Sequence, residues 1–192
     1  MTEPEPARVL VICTGNVCRS PFIERVLAGM LPAGSGVVVE SAGTGALVGS
    51  PMEPRAAAQT SRYAGEPAGF VARQLVPGLV ASADLVLTAT RRHRGEVATV
   101  HPRALSYAFT LRDFADLVAD LPPQDVRGEG EGPRSRVRAL VQAAAARRGL
   151  NPPLEAAETD IVDPFRGDDA MFVTMAQQVM GSLPVVARAL AG

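Results

Sequence analysis

The 192-residue sequence contains no lysine: all nineteen of its basic residues are arginine. This excludes Schiff-base chemistry and the phosphate-binding lysine of the G-x-x-x-x-G-K-[ST] loop. Cysteine is scarce too, with two residues five positions apart, Cys13 and Cys18, so no disulfide scaffold is expected. The net charge of −1 gives no global attraction to nucleic acid or to an anionic membrane. The first residues, M-T-E-P-E-P-A-R, lack the apolar core of a signal peptide. No uninterrupted apolar stretch approaches the length of a membrane span, and no internal repeat is visible. A cytoplasmic protein without membrane insertion is the expectation. With 47% hydrophobic and 20% charged residues over this length, the chain reads as one globular domain, residues 1–192.

Short apolar runs alternate with helical patterns. Residues 9–12, 37–39, 84–88 and 105–109 read as strands, the first with the continuous apolar run of a strand buried on both faces. Helices are expected from Ser20 or Pro21 to Leu31, over 53–63, from Arg91 and over 111–121, with a weaker helical segment at 71–79 broken by Pro77 and Gly78. The alternation implies an α/β domain with a parallel sheet covered on both faces. Composition changes at about 122–158, where Pro122-Pro123 and G-E-G-E-G-P read as linker and 134–149 as a helix; this stretch is taken as a variable insertion. A last helix starts near Asp168-Asp169 and should kink between Gly181 and Pro184.

Residues 13–21 read C-T-G-N-V-C-R-S-P, directly after the first apolar run. A strand, a Gly-containing loop and Ser-Pro opening a helix form an anion cradle, because loop N–H groups and the helix dipole converge on one spot. Cys13 opens the loop and Arg19 closes it. A guanidinium grips two phosphoryl oxygens at once, and its charge favours the thiolate, the nucleophilic form of cysteine.

The nine-residue run resembles the phosphate loop of the low-molecular-weight protein tyrosine phosphatases, and S-A-G-T-G-A-L-V-G at 41–49 most resembles the bacterial members paired with capsule or exopolysaccharide tyrosine kinases. That resemblance implies a single three-layer domain with a four-stranded parallel sheet in the order 2-1-3-4. It implies hydrolysis of phosphotyrosine in proteins, with Cys13 as nucleophile, Arg19 as phosphate clamp and Asp163 of D-P-F as general acid and base. Thr14, Gly15, Asn16, Val17, Cys18 and Ser20 would form the phosphate loop, with Asn16 braced by Ser41 of S-A-G-T-G. The Ser20 hydroxyl would donate to the Cys13 thiolate. Leu47 would form a wall and Phe165 would stack on the substrate ring. Ala72-Arg73-Gln74 matches the family A-R-Q, with Arg73 structural. No metal or other cofactor is implied, since the arginine and amides supply the charge stabilisation. The implied partner is a phosphotyrosine protein such as a bacterial tyrosine kinase of polysaccharide export, acted on by a monomer or weak dimer.

Thr90 stands where relatives carry Asp after the third strand, and Phe70 where they carry His. Phe165 and Arg166 replace two regulatory tyrosines, so that route of control is closed. The run Arg91-Arg92-His93-Arg94 reads as a solvated helix start in preference to a docking patch for acidic phosphopeptides. Cys13, Cys18, His93 and His101 have poor spacing for zinc. Cys18 is either a resolving thiol for oxidised Cys13 or a small buried residue filling space. Two further functions share the motif. Arsenate reduction would need more cysteines, and none follows Cys18. A non-catalytic phosphotyrosine-binding pseudophosphatase would not need Cys13, Arg19 and Asp163 together.

Overall fold

The first apolar run becomes β1 (Ala7–Cys13), one of the two inner strands of a parallel four-stranded sheet in a computed structural model that describes residues 5–126, 130–150 and 154–192. Its neighbours are β2 (Val37–Gly43) and β3 (Leu85–Thr88), with β4 (Ala108–Thr110) beyond β3, giving the order β2-β1-β3-β4. The register pairs Cys13 with Gly43 and Ile12 with Thr88, so these strands end together at the edge that carries the loop.

The two-residue period of a strand divides the core into two layers. Ala7, Val9, Val11 and Cys13 join Leu85, Leu87 and Phe109 in the larger layer, whereas Leu10 and Ile12 join Val86 and Ala108 in the smaller one. The larger layer is covered by α1 (Arg19–Met30), α2 (Pro54–Arg62), α5 (Leu111–Ala119), α6 (Pro133–Ala146), α8 (Asp169–Met180) and α9 (Leu183–Ala191). The smaller layer is covered by α3 (Pro77–Ser82), α4 (Arg91–Val100) and the 3-10 turn Pro102–Ser106. Phe22, Ile23 and Leu27 of α1 are fully buried, each contributing about 1.5–3 kcal/mol of apolar transfer.

Between residues 122 and 158, α6 places Val137, Leu140, Val141 and Ala144 in the larger core layer. Its start is tied to the sheet by Asp84, the residue before β3. Asp84 accepts from Arg134 Nε at 3.0 Å, Arg138 Nε at 2.7 Å and the Arg8 N–H at 2.9 Å. Removing the arginines would leave a buried carboxylate without its counter-charges. A single turn, α7 (Ala156–Thr159), follows. The G-E-G-E-G-P tract lies partly outside the described residues.

Several boundaries differ from the sequence reading. β2 runs on through Ser41, Ala42 and Gly43, beyond the expected strand over 37–39. Residues 71–76 are not helical: the Gly43 N–H donates to the Arg73 carbonyl and the Leu75 N–H to the Gly43 carbonyl, which holds this segment extended beside β2. β4 starts three residues later than expected, because Pro102 draws Leu105 into the 3-10 turn. The expected last helix is two helices, separated at Gly181-Ser182. Taken together, the 23 residues Asp169–Ala191 do reach the length and apolarity of a membrane span, with a mean hydropathy of 1.3 in an 18-residue window. Its apolar positions Phe172, Met175, Ala176, Val179, Leu183, Val186 and Leu190 are turned into the core.

Candidate active site

The loop between β1 and α1 is shaped by what its carbonyls bind. The carbonyls of Cys13, Thr14, Gly15 and Val17 accept from the N–H groups of Thr44, Gly45, Leu47 and Glu53, all at 2.9–3.0 Å. A peptide plane with its carbonyl fixed outward presents the following N–H on its other side. The amides of Thr14, Gly15, Asn16 and Cys18 therefore face inward. The left-handed turn this requires falls on Asn16, at φ +54°, and not on Gly15. Gly43 is needed for a different reason. A Cβ there would strike the Thr14 carbonyl oxygen and lie 3.0 Å from the Asn16 nitrogen.

Behind the loop runs a buried hydrogen-bond chain. Asn16 Nδ2 donates to the Ser41 hydroxyl at 2.8 Å and to the Ser20 hydroxyl at 2.9 Å, while its Oδ1 accepts from the Arg73 N–H at 2.9 Å. The Ser41 hydroxyl donates to Glu24 Oε2 at 2.5 Å, and Arg73 Nε donates to the Ser41 carbonyl at 2.8 Å. Because Ser20 already accepts from Asn16, its single proton is free for the Cys13 sulfur, 3.0 Å away. Burial raises the Glu24 carboxyl above its ordinary value, opposed by the Ser41 bond. Glu24 gave no signal in the sequence beyond being one polar residue on an amphipathic helix.

A second support comes from α4. His93 is buried, with Nε2 2.9 Å from the Thr14 hydroxyl and Nδ1 2.8 Å from the Thr90 hydroxyl. Burial first, then the Arg19 charge, push its imidazole down to about 4. Thr90 caps α4 by accepting from the His93 N–H, so the family Asp is replaced by a residue that both caps and orients. The expectation of a solvated helix start holds for Arg91 and Arg92. It fails for His93, which is turned onto the loop, and for Arg94, whose Nε donates to the Ala108 carbonyl at 2.8 Å.

Cys13, Thr14, Gly15, Val17, Cys18 and Arg19 line one cavity of about 140 Å³, closed on its other sides by Gly45, Leu47, Asp163 and Phe165. Arg19 is buried; its Nη2 lies 2.6 Å from Asp163 Oδ2, and its Nη1 donates to the Ile161 carbonyl at 3.4 Å. Its Nε is a buried donor with no partner among the described residues. Asn16, Ser20 and Ser41 sit behind the loop and not in the cavity wall. The Asp163 segment is held by Ile161 N–H on the Ala89 carbonyl, Val162 N–H on Gln178 Oε1, and Arg55 Nη1 on the Gly167 carbonyl. Gln178 and Arg55 were not legible as site residues, since their partners lie far along the chain. Burial, then the neighbouring Cys13 sulfur, push the Cys18 thiol up to about 12. Among the described residues no group of three His, Cys, Asp or Glu could hold a metal.

A parallel α/β sheet thus carries C-x5-R at the carboxyl end of an inner strand, and a thiol, a buried guanidinium and a carboxylate on that guanidinium share one cavity. A family model described as low molecular weight phosphotyrosine protein phosphatase matches residues 8–145, and the chain belongs to that family of hydrolases. Among its relatives, the probable low molecular weight protein-tyrosine-phosphatase EpsP of Ralstonia nicotianae is 38% identical over 106 residues, 55% of this chain and 71% of that protein. The low molecular weight protein-tyrosine-phosphatase Wzb of Salmonella typhi is 39% identical over 99 residues, 52% of this chain and 64% of that protein. Vibrio vulnificus Wzb in complex with benzylphosphonate shares the fold at a TM-score of 0.67 and 22% identity, over 95% of this chain and 97% of that one. The YwlE arginine phosphatase from Geobacillus stearothermophilus reaches 0.67 and 26%, over 95% and 92%.

Proposed function

We propose that this protein hydrolyses phosphotyrosine in proteins through a phosphocysteine intermediate. The observation that carries the reading is the shared guanidinium: Arg19 is buried beside Cys13 in the cavity wall and bonded to Asp163. The Cys13 thiolate attacks phosphorus in line with the tyrosyl oxygen. The inward amides of the loop and Arg19 hold the equatorial oxygens, where charge gathers in the transition state. Asp163 gives a proton to the departing phenolate, then takes one from the water that cleaves the thiophosphate bond. Ser20, fixed by Asn16, stabilises the sulfur anion both before attack and as the leaving group.

Substrate choice follows from the mouth of the cavity. Val17, Leu47 and Phe165 are apolar and line it, the last two half-exposed. They suit the faces of an aromatic ring, whereas a phosphoguanidino group would find few acceptors among them. A bacterial tyrosine kinase of polysaccharide export is the partner this reading favours. We place the reaction in the cytoplasm, where two free thiols stay reduced.

The test is Cys13→Ser with an aryl phosphate and with phosphoarginine. The expected result is loss of all aryl phosphate hydrolysis in the variant with phosphate binding retained, and a marked preference of the unaltered enzyme for the aryl ester. More than trace turnover by the variant overturns the nucleophile; equal use of phosphoarginine overturns the substrate class.

A further inference from the structure

On the same edge of the sheet as the catalytic loop, a second cavity of about 320 Å³ opens between α4, the end of β4, α5 and the end of α6. Arg91, Arg94, Arg147 and Arg148 line it, with Leu117 and Leu154 among its apolar walls. None of the four guanidiniums lies within ion-pair distance of a carboxylate among the described residues. Asp113 and Asp116 also border the cavity, so four positive charges face two negative ones and the cavity is positive.

Three of the heads are held in place by backbone. Arg94 Nε donates to the Ala108 carbonyl at 2.8 Å, and Arg147 Nη1 to the Asp120 carbonyl at 3.2 Å. Arg148 gives Nη1 to the Leu105 carbonyl at 2.6 Å and Nη2 to the Ala108 carbonyl at 2.7 Å, with its guanidinium carbon 3.8 Å from the Phe109 ring centre. Neutral carbonyls fix these heads without cancelling their charge. A guanidinium has five donors, so most remain for another acceptor. Burial first, then the nearby Arg94 charge, push Arg148 down to about 10, opposed by Asp113. The helix starts add little, since the Arg91 N–H donates to Asp160 Oδ1 at 2.8 Å and Asp113 sits in the first turn at Leu111, so the positive charge of the cavity is that of its side chains. A structural role explains the bonds to carbonyls. It does not explain why four cations gather around one concave space without a paired carboxylate.

We propose that this cavity is a second anion site that takes a small organic phosphate, its phosphate gripped by the four arginines and its organic part lying on Leu117 and Leu154. Arginine is the side chain suited to bidentate grip on phosphate. The volume is at the lower end of ligand-sized clefts, which limits the organic part to a sugar or a single ring system. The proposal is independent of the catalytic reading, since no residue of the cavity belongs to the loop or the acid segment.

The test is residue-resolved NMR of the intact, isotope-labelled chain titrated separately with uridine monophosphate and with inorganic phosphate. This separates the two sites without blocking either. The expected result is saturable movement of the Leu117, Gly149 and Leu154 amides, tighter for uridine monophosphate than for inorganic phosphate. In an Arg91→Glu, Arg147→Glu double variant that affinity should fall at least about tenfold, equivalent to about 1.4 kcal/mol. The response of Gly15 and Cys18 to phosphate should persist there. Arg91→Glu alone, an exposed position with a smaller expected loss, serves if the double variant does not fold. No movement at millimolar ligand, affinity unchanged by the charge reversals, or inorganic phosphate binding as tightly as the nucleotide would each overturn the proposal.

Discussion

His93 Nε2 and the Thr14 hydroxyl lie 2.9 Å apart, joining α4 to the catalytic loop. The Thr90 hydroxyl accepts the His93 backbone N–H and lies 2.8 Å from Nδ1, so hydroxyls hold both ring nitrogens. Burial and the Arg19 charge favour the neutral imidazole. Its folded value of about 4 lies below the ordinary 6.5, so between these pH values the unfolded chain binds the extra proton. Stability is therefore fully present above about 6.5 and is lost as pH falls towards about 4. Urea unfolding across that window should show the loss, and a His93→Gln variant should show a shallower slope. Identical slopes would mean that the ring is not held neutral.

The Asp163 contact to Arg19 predicts a dependence on the leaving group. Asp163→Asn keeps the size of the side chain and removes the transferable proton. Aryl phosphates with poor leaving groups should slow by on the order of 10²–10⁴-fold, and strongly activated esters far less. A plot of log kcat against leaving-group pKa should be steeper in the variant. An equal loss for every ester would remove Asp163 from the role of donor.

Gly43 sits against the loop so closely that one methyl group has nowhere to go. Gly43→Ala should displace Thr14 and Asn16 and reduce kcat/KM by on the order of 10²-fold, while the sheet, paired from Ala7 to Cys13, still forms. Activity and far-ultraviolet circular dichroism measured on the same sample separate the two effects. Full activity would show that the loop yields.

Cys18 is buried, and its thiol at about 12 is a poor nucleophile near neutrality. If it traps the sulfenic acid of peroxide-treated Cys13, its thiolate must displace hydroxide from that sulfur. Recovery of activity on reduction should then rise from about pH 7 to about pH 9, as the thiolate fraction grows. Cys18→Ser should show neither the recovery nor the rise. Recovery independent of pH would leave Cys18 as filler under the loop.

How far the sequence reveals these features depends on how local their causes are. β1, the loop and α1 were legible because an apolar run, a nine-residue motif and Pro21 lie side by side. Residues 71–76 were misread because apolar spacing suggested a helix. Their conformation is set instead by Asn16, which takes the Arg73 N–H from 57 positions away. Ser41 and Gly43 lie past the apolar run at 37–39, yet pairing with Val11 and Cys13 keeps them in β2. Glu24, Gln178 and His93 escaped for one reason: each is a single polar residue on a helix, and its partner is brought near only by the finished fold.

The outward anchoring of the loop carbonyls bears on protein engineering. Inserting C-T-G-N-V-C-R-S-P after a strand in some other α/β scaffold should yield a phosphate-indifferent loop. Its acceptors would lack the amides of Thr44, Gly45, Leu47 and Glu53, and its Asn16 would lack Arg73. A transferable unit must therefore run from β1 at least to Leu75, and the His93 contact to Thr14 extends it to α4.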